Sequence, residues 1–98
     1  MRQGESLLKR EIKNLLNEHG VFWSSVQGGP GSKPGDPDMV ACCRGKYIAI
    51  EAKIPGGRQS PIQRTRQKEI EEAGGIYILA YSVSDVMCAL GPLLLDEE

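Results

Sequence analysis

Little in this chain is available for soft-metal or redox chemistry. Its 98 residues include one histidine and three cysteines, with no Cys-x-x-Cys pair. Cys42 and Cys43 are adjacent and Cys88 stands apart; an odd, clustered set fits neither a disulfide framework nor a zinc site. The thiols are expected to be buried and reduced, as in a cytoplasmic protein. No apolar run reaches the ~18 residues that a membrane span requires. The N-terminal stretch from Met1 to Lys13 is charged and periodic, without the apolar centre of a signal peptide. The lone His19 falls in the last turn of a predicted helix, where it suits the free carbonyls and is not expected to be catalytic. Internal repeats and low-complexity segments are also absent.

What is present is ordinary in amount and uneven in placement. Hydrophobic residues make up 40% and charged residues 26%, which fits one folded domain over residues 1–98 and argues against disorder. The net charge of −1 looks wrong for a partner of nucleic acid, but the distribution changes the picture. Seven basic residues (Lys33, Arg44, Lys46, Lys53, Arg58, Arg64, Arg66) lie between Gly31 and Arg66, against three acids (Asp36, Asp38, Glu51). The other acids sit mostly in Glu69, Glu71, Glu72 and the tail Asp96-Glu97-Glu98. A basic middle between acidic ends suits a phosphate-binding face.

Leu7, Leu8, Ile12, Leu15 and Leu16 recur at helical spacing and predict an amphipathic helix over about 5–19, favoured at its start by Glu5 and stopped by Gly20. Residues 21–26 read as a strand, with Trp23 a core or edge aromatic. Residues 27–37 hold four glycines and three prolines and form a loop that is long for so small a domain. Residues 38–43 and 46–53 are strand-like runs joined by Arg44-Gly45, a hairpin signal. After a Pro/Gly turn over 54–59, Ser60-Pro61-Ile62-Gln63 predicts a helix start with a capping box. That helix ends at Gly74-Gly75. An apolar strand over 76–81 and a short helix from Ser82 or Ser84 to Leu90, ended by Gly91-Pro92, complete the chain. The order is helix, three strands, helix, strand, helix: an α/β arrangement around a mixed sheet, with a parallel crossover beside the hairpin.

A two-residue turn at Arg44-Gly45 pairs Cys43 with Lys46, and the same register sets Asp38 opposite Glu51. Opposed residues share a face, and Lys53, two residues further, shares it too. Two adjacent carboxylates repel each other unless compensated. A hard divalent cation such as Mg²⁺ compensates them through oxygen ligands and can activate water for attack on phosphorus, with the Lys53 ammonium able to orient that water or stabilise charge. A plain cross-strand salt bridge is the alternative.

The context is more specific. Gly35-Asp36-Pro37-Asp38-Met39-Val40, then Ile48-Ala49-Ile50-Glu51-Ala52-Lys53, then Gly56-Gly57-Arg58-Gln59-Ser60-Pro61-Ile62-Gln63 resembles the VRR-NUC (virus-type replication-repair nuclease) family of the PD-(D/E)XK superfamily over nearly the whole chain. The resemblance implies a restriction-endonuclease-like fold, a mixed β-sheet flanked by helices in the order αβββαβα. It implies metal binding by Asp38, Glu51 and the main-chain carbonyl of Ala52, catalysis by Lys53, and a catalytic, orienting role for Gln63. It also implies an acid from the first helix as a further metal ligand. Glu5 matches that position best and Glu11 is second. Glu5 is equally a good helix-start acid, and Gln63 equally a capping residue. Asp36 is an extra acid that the pattern does not explain.

The expected activity is that of a Mg²⁺- or Mn²⁺-dependent DNA endonuclease hydrolysing phosphodiesters by a metal-activated water. It is expected to be structure-selective, as in the Holliday-junction resolvases that stand-alone family members resemble. Lys33, Arg58, Arg64 and Arg66 are expected on DNA phosphates. One site per chain and a symmetric branched substrate call for a homodimer, with Leu93-Leu94-Leu95 as an interface element or as core. The family implies the cytoplasm of a bacterium or phage-infected cell, with no membrane. The alternatives are a nuclease acting on flaps, ends or other DNA, and a non-catalytic DNA-binding module of the same fold.

Overall fold

The fold comes from a computed structural model, which describes residues 2–26, 28 and 30–95. The acidic tail 96–98 and Gln27 and Gly29 of the loop lie outside the described residues. The elements are α1 (Arg2–Glu18), β1 (Phe22–Ser25), β2 (Met39–Cys43), β3 (Lys46–Ala52), α2 (Pro61–Glu72), β4 (Ile76–Ala80) and α3 (Val83–Leu94). The strands form one sheet in the order β1-β2-β3-β4. β1-β2 and β2-β3 are antiparallel, and β3-β4 is parallel across the α2 connection. The expected order αβββαβα around a mixed sheet is what the chain adopts.

The hairpin forms in the predicted register. Cys43 pairs with Lys46 and Met39 with Ile50. Arg44 and Gly45 both have positive φ, 55° and 81°, the two left-handed positions of a type I′ turn, whose twist matches that of the strands it joins. Asp38 lies one position beyond the last pair, and its N–H still bonds the Ile50 carbonyl at 3.0 Å.

Strand alternation sorts the two sheet faces. Met39, Ala41, Cys43, Ile48, Ile50, Ala52, Ile78 and Ala80 point to one side, where Leu8, Ile12 and Leu16 of α1 and Val86 and Leu90 of α3 close the main core. Burying such side chains stabilises the fold by about 1.5–3 kcal/mol each for the larger ones. The opposite face carries Glu51 and Tyr77 and is covered at the β3-β4 end by α2, which buries none of its own residues completely.

Three expectations need correction. α1 starts at Arg2 and α3 runs to Leu94, past Gly91 and with Pro92 inside it. Proline removes one helical N–H, but Leu93 and Leu94 continue the stripe of Val86 and Leu90 onto the core, and the Leu95 N–H still reaches Gly91 O at 2.9 Å; packing outweighs the local stop signal. The cysteines are all free, but only Cys43 is buried, while Cys42 and Cys88 are exposed. Cys42 points to the open sheet face, the opposite parity from Cys43. Trp23 packs against the edge of the core, donating its indole N–H to Asn17 Oδ1 at 2.8 Å. No helix among the described residues is long and apolar enough to cross a membrane.

Gly35 shows how tightly the long loop is seated. Its φ is +88°, and a Cβ there would come within 2.9 Å of both the Ile62 side chain and the Ile62 carbonyl on α2. Gly35→Ala is therefore expected to lower the unfolding free energy by about 1–3 kcal/mol in a urea titration. An unchanged midpoint would show that the loop is not held against α2.

Candidate active site

The site lies where the loop ahead of β2, the end of β3 and the start of α2 meet. Asp38 is 5% exposed and Glu51 2%, the two charged residues of the interior among those described. Each has one oxygen fixed by the protein. Asp38 Oδ2 accepts the Ala52 N–H at 2.8 Å, and Glu51 Oε2 accepts a Gln63 side-chain N–H at 3.0 Å. The other oxygens are less satisfied. Asp38 Oδ1 meets Lys9 Nζ at 3.5 Å, and Glu51 Oε1 is buried with no hydrogen-bond partner among the described residues. Leaving a buried carboxylate oxygen unpartnered costs free energy, so this oxygen is available to a further ligand.

Gln63 serves two neighbours at once. Its Oε1 accepts the Ser60 N–H at 2.9 Å and its backbone N–H donates to Ser60 Oγ at 3.2 Å, completing the capping box; its Nε2 then reaches Glu51. The capping and site readings of Gln63 are thus compatible, because the amide offers an acceptor to the helix start and a donor to the carboxylate. Lys53 Nζ lies 3.9 Å from Glu51 Oε2. Its stem runs beside Gly57, where an added Cβ would sit 3.6 Å from two of its carbons. Tyr81 donates its O–H to Gly57 O at 3.0 Å and ties that loop to the end of β4.

Electrostatics isolate Glu51. Burial first, and then the Asp38 charge, push its pKa from 4.5 to about 7, against the lowering effect of Lys53. Tyr77, on the same face of the neighbouring strand β4, is pushed up to about 12 by burial and then by the Glu51 charge. A carboxylate pair this poorly solvated is receptive to a cation.

The remaining site candidates fall in different places. Glu5 is half-buried on α1, and its charge is felt at Glu51. Yet no group of three or more His, Cys, Asp or Glu among the described residues closes into a metal cage. Glu11 is exposed. Lys33 and Arg58 are exposed, and exposed Arg64 donates to the Gln59 carbonyl at 3.1 Å. Arg66, with about a quarter of its side chain exposed, is engaged by protein partners. Its guanidinium pairs with Glu69, with Asp36 at 3.3 Å, and with the Pro34 carbonyl at 3.2 Å, and its pKa is raised, chiefly by the Glu69 hydrogen bond. Asp36, unexplained by sequence, also accepts the Lys33 N–H at 2.8 Å. Together they strap the loop that delivers Pro37-Asp38 onto the helix that delivers Gln63. Sequence reasoning missed Lys9 and Tyr77. The only signal for Lys9 was its place four residues after Glu5, on the same helix stripe.

The family model of the archaeal Holliday junction resolvase (Hjc) matches residues 1–76. The chain belongs to the archaeal Holliday junction resolvase family. Among solved structures, a VRR_NUC domain superposes with a TM-score of 0.73 at 18% identity, covering 90% of this chain and 95% of that one. The resolvase-family chain thus has the restriction-endonuclease-like fold that its VRR-NUC resemblance implies. Comparison with curated protein sequences finds no match.

Proposed function

We propose that the protein is a Mg²⁺- or Mn²⁺-dependent endonuclease that hydrolyses the phosphodiester backbone of branched DNA, four-way junctions above all. The observation that carries the reading is the buried, unpartnered Glu51 Oε1 beside Asp38 and Lys53, within a resolvase-family chain. Hard oxygen donors in this state suit Mg²⁺ or Mn²⁺, and Asp38, Glu51 and the Ala52 carbonyl are the groups that would hold it. The bound cation would neutralise the carboxylate pair and favour the hydroxide form of a water.

The protein's own residues do the rest. Gln63 and the Ala52 N–H hold one oxygen of each carboxylate and aim the other into the site. Lys53 places a positive charge beside Glu51, where a phosphate oxygen gains negative charge as water attacks phosphorus. The water oxygen bonds to phosphorus, one ester P–O bond breaks, and the departing alcohol oxygen takes up a proton. Lys33, Arg58 and Arg64 extend the positive surface along the DNA backbone. Arg66, held by Asp36, Glu69 and the Pro34 carbonyl, positions the loop.

A symmetric four-way junction requires two sites related by a two-fold axis, so we read the active form as a homodimer. Leu93 and Leu94 pack against the core, leaving Leu95 exposed. The better surface for a second copy is the open sheet face. Phe22 pairs with Cys42 and Cys42 with Tyr47, Phe22 and Tyr47 are 73% and 51% exposed, and β1 and β2 contribute no charge there. An exposed aromatic stretch at the uncharged β1-β2 end of that face, away from Glu51, is unsuited to water. Light scattering is expected to give twice the chain mass, and Phe22→Glu with Tyr47→Glu to give monomers that no longer make paired cuts. A wild-type monomer at micromolar concentration would contradict the dimer. Against a panel of junction, flap and linear duplex, the junction should be cut fastest; preference for flaps or ends would keep the nuclease and discard junction selectivity.

A further inference from the structure

Lys9 is part of the site without belonging to its sequence pattern. α1 carries Glu5 and Lys9 one turn apart, and both charges act on Glu51 in opposite senses. Lys9 Nζ lies 3.5 Å from Asp38 Oδ1, with 32% of its side chain exposed against 4% for the aspartate. Asp38 Oδ2 is already taken by the Ala52 N–H. Lys9 therefore sits on the one Asp38 oxygen that remains for a ligand. A cation on that oxygen and the Lys9 ammonium are like charges competing for one acceptor. The Lys9 side chain is about a third exposed on a flexible stem, so its ammonium can turn outward at little cost. The anion next to it in a substrate complex is the phosphodiester.

Resting on the nuclease reading, we propose that Lys9 is a second phosphate-binding lysine: it occupies Asp38 Oδ1 until a divalent cation takes that oxygen, and then binds an anionic oxygen of the DNA phosphodiester. Removing it has opposite effects on the two ligands. A purely structural lysine would weaken both, through a loosened α1.

The test compares wild type, Lys9→Met and Lys9→Arg, each checked for a native circular dichroism spectrum and melting transition. Mn²⁺ binding is measured by calorimetry without DNA, junction binding in Ca²⁺ across a salt series, and cleavage in Mn²⁺. Lys9→Met should bind Mn²⁺ about three- to tenfold more tightly. It should bind DNA more weakly, with the salt slope reduced by about one, and its KM should rise more than its kcat falls. Lys9→Arg should recover most of the DNA affinity. Mn²⁺ affinity unchanged or weakened in Lys9→Met, or an unchanged DNA salt slope, would overturn the proposal. A wild-type protein that binds no Mn²⁺ and cuts no DNA would instead overturn the nuclease reading, and Lys9's assigned role with it.

Discussion

Glu51→Gln is expected to lower DNA cleavage by a factor on the order of 10³ while making the metal-free protein more stable. The two effects have one cause. Glu51 is buried beside Asp38, and its pKa in the folded protein is about 7 against an ordinary 4.5. The folded state holds this proton more tightly than the unfolded chain does. The stability it supports is therefore fully present below about pH 4.5 and is lost as pH rises through about 7. Glutamine is neutral at every pH and keeps what the glutamate loses. Urea titrations in EDTA should thus show near-equal stability at about pH 4.5 and a gain on the order of 3 kcal/mol for Glu51→Gln above pH 7. Mn²⁺ should raise the melting temperature of wild type and leave that of the variant unchanged. Equal stabilities at both pH values would mean that Glu51 is not held against its ionisation.

Lys53→Ala should lose cleavage by about 10²–10³ with its fold intact. The ammonium ends 3.9 Å from Glu51 at the rim of the site and supports no core packing, so its melting temperature should move little. The charge has two uses. In the proposed reaction it would face the phosphate, and it opposes the rise in the Glu51 pKa. Removing it should therefore also shift the pH at which Mn²⁺ binds toward more alkaline values, since the proton to be displaced is held more firmly. Cleavage within twofold of wild type would move the catalytic charge to another residue.

The parts of this fold that local chemistry decides were legible in the sequence. A two-residue turn leaves one register for the hairpin, and with it the approach of Asp38 to Glu51. Ser60 and Gln63 specify their helix start within four residues. The end of α3 was misread because Gly91-Pro92 is a local stop signal, whereas the leucines beyond it answer to a core built by distant strands. Asp36 was opaque for the same reason: its partner Arg66 lies thirty positions away on α2, and nothing near Asp36 announces it. The pairing of Arg66 was equally opaque, because a positive charge in sequence carries no record of the carboxylates that will surround it. Lys9 was missed because the periodicity of α1 shows which stripe is apolar but not how the flanking residues meet the mouth of a site formed by other elements.

Cleavage of a four-way DNA junction labelled on each strand in turn, by wild type and Lys53→Ala, with Mg²⁺, Mn²⁺ or EDTA, tests the central claim most directly. Paired nicks on opposite strands in either metal, none in EDTA and none from the variant, are the predicted result. Junction binding without cleavage in any divalent ion would contradict the account and leave the protein a DNA-binding module on a nuclease fold.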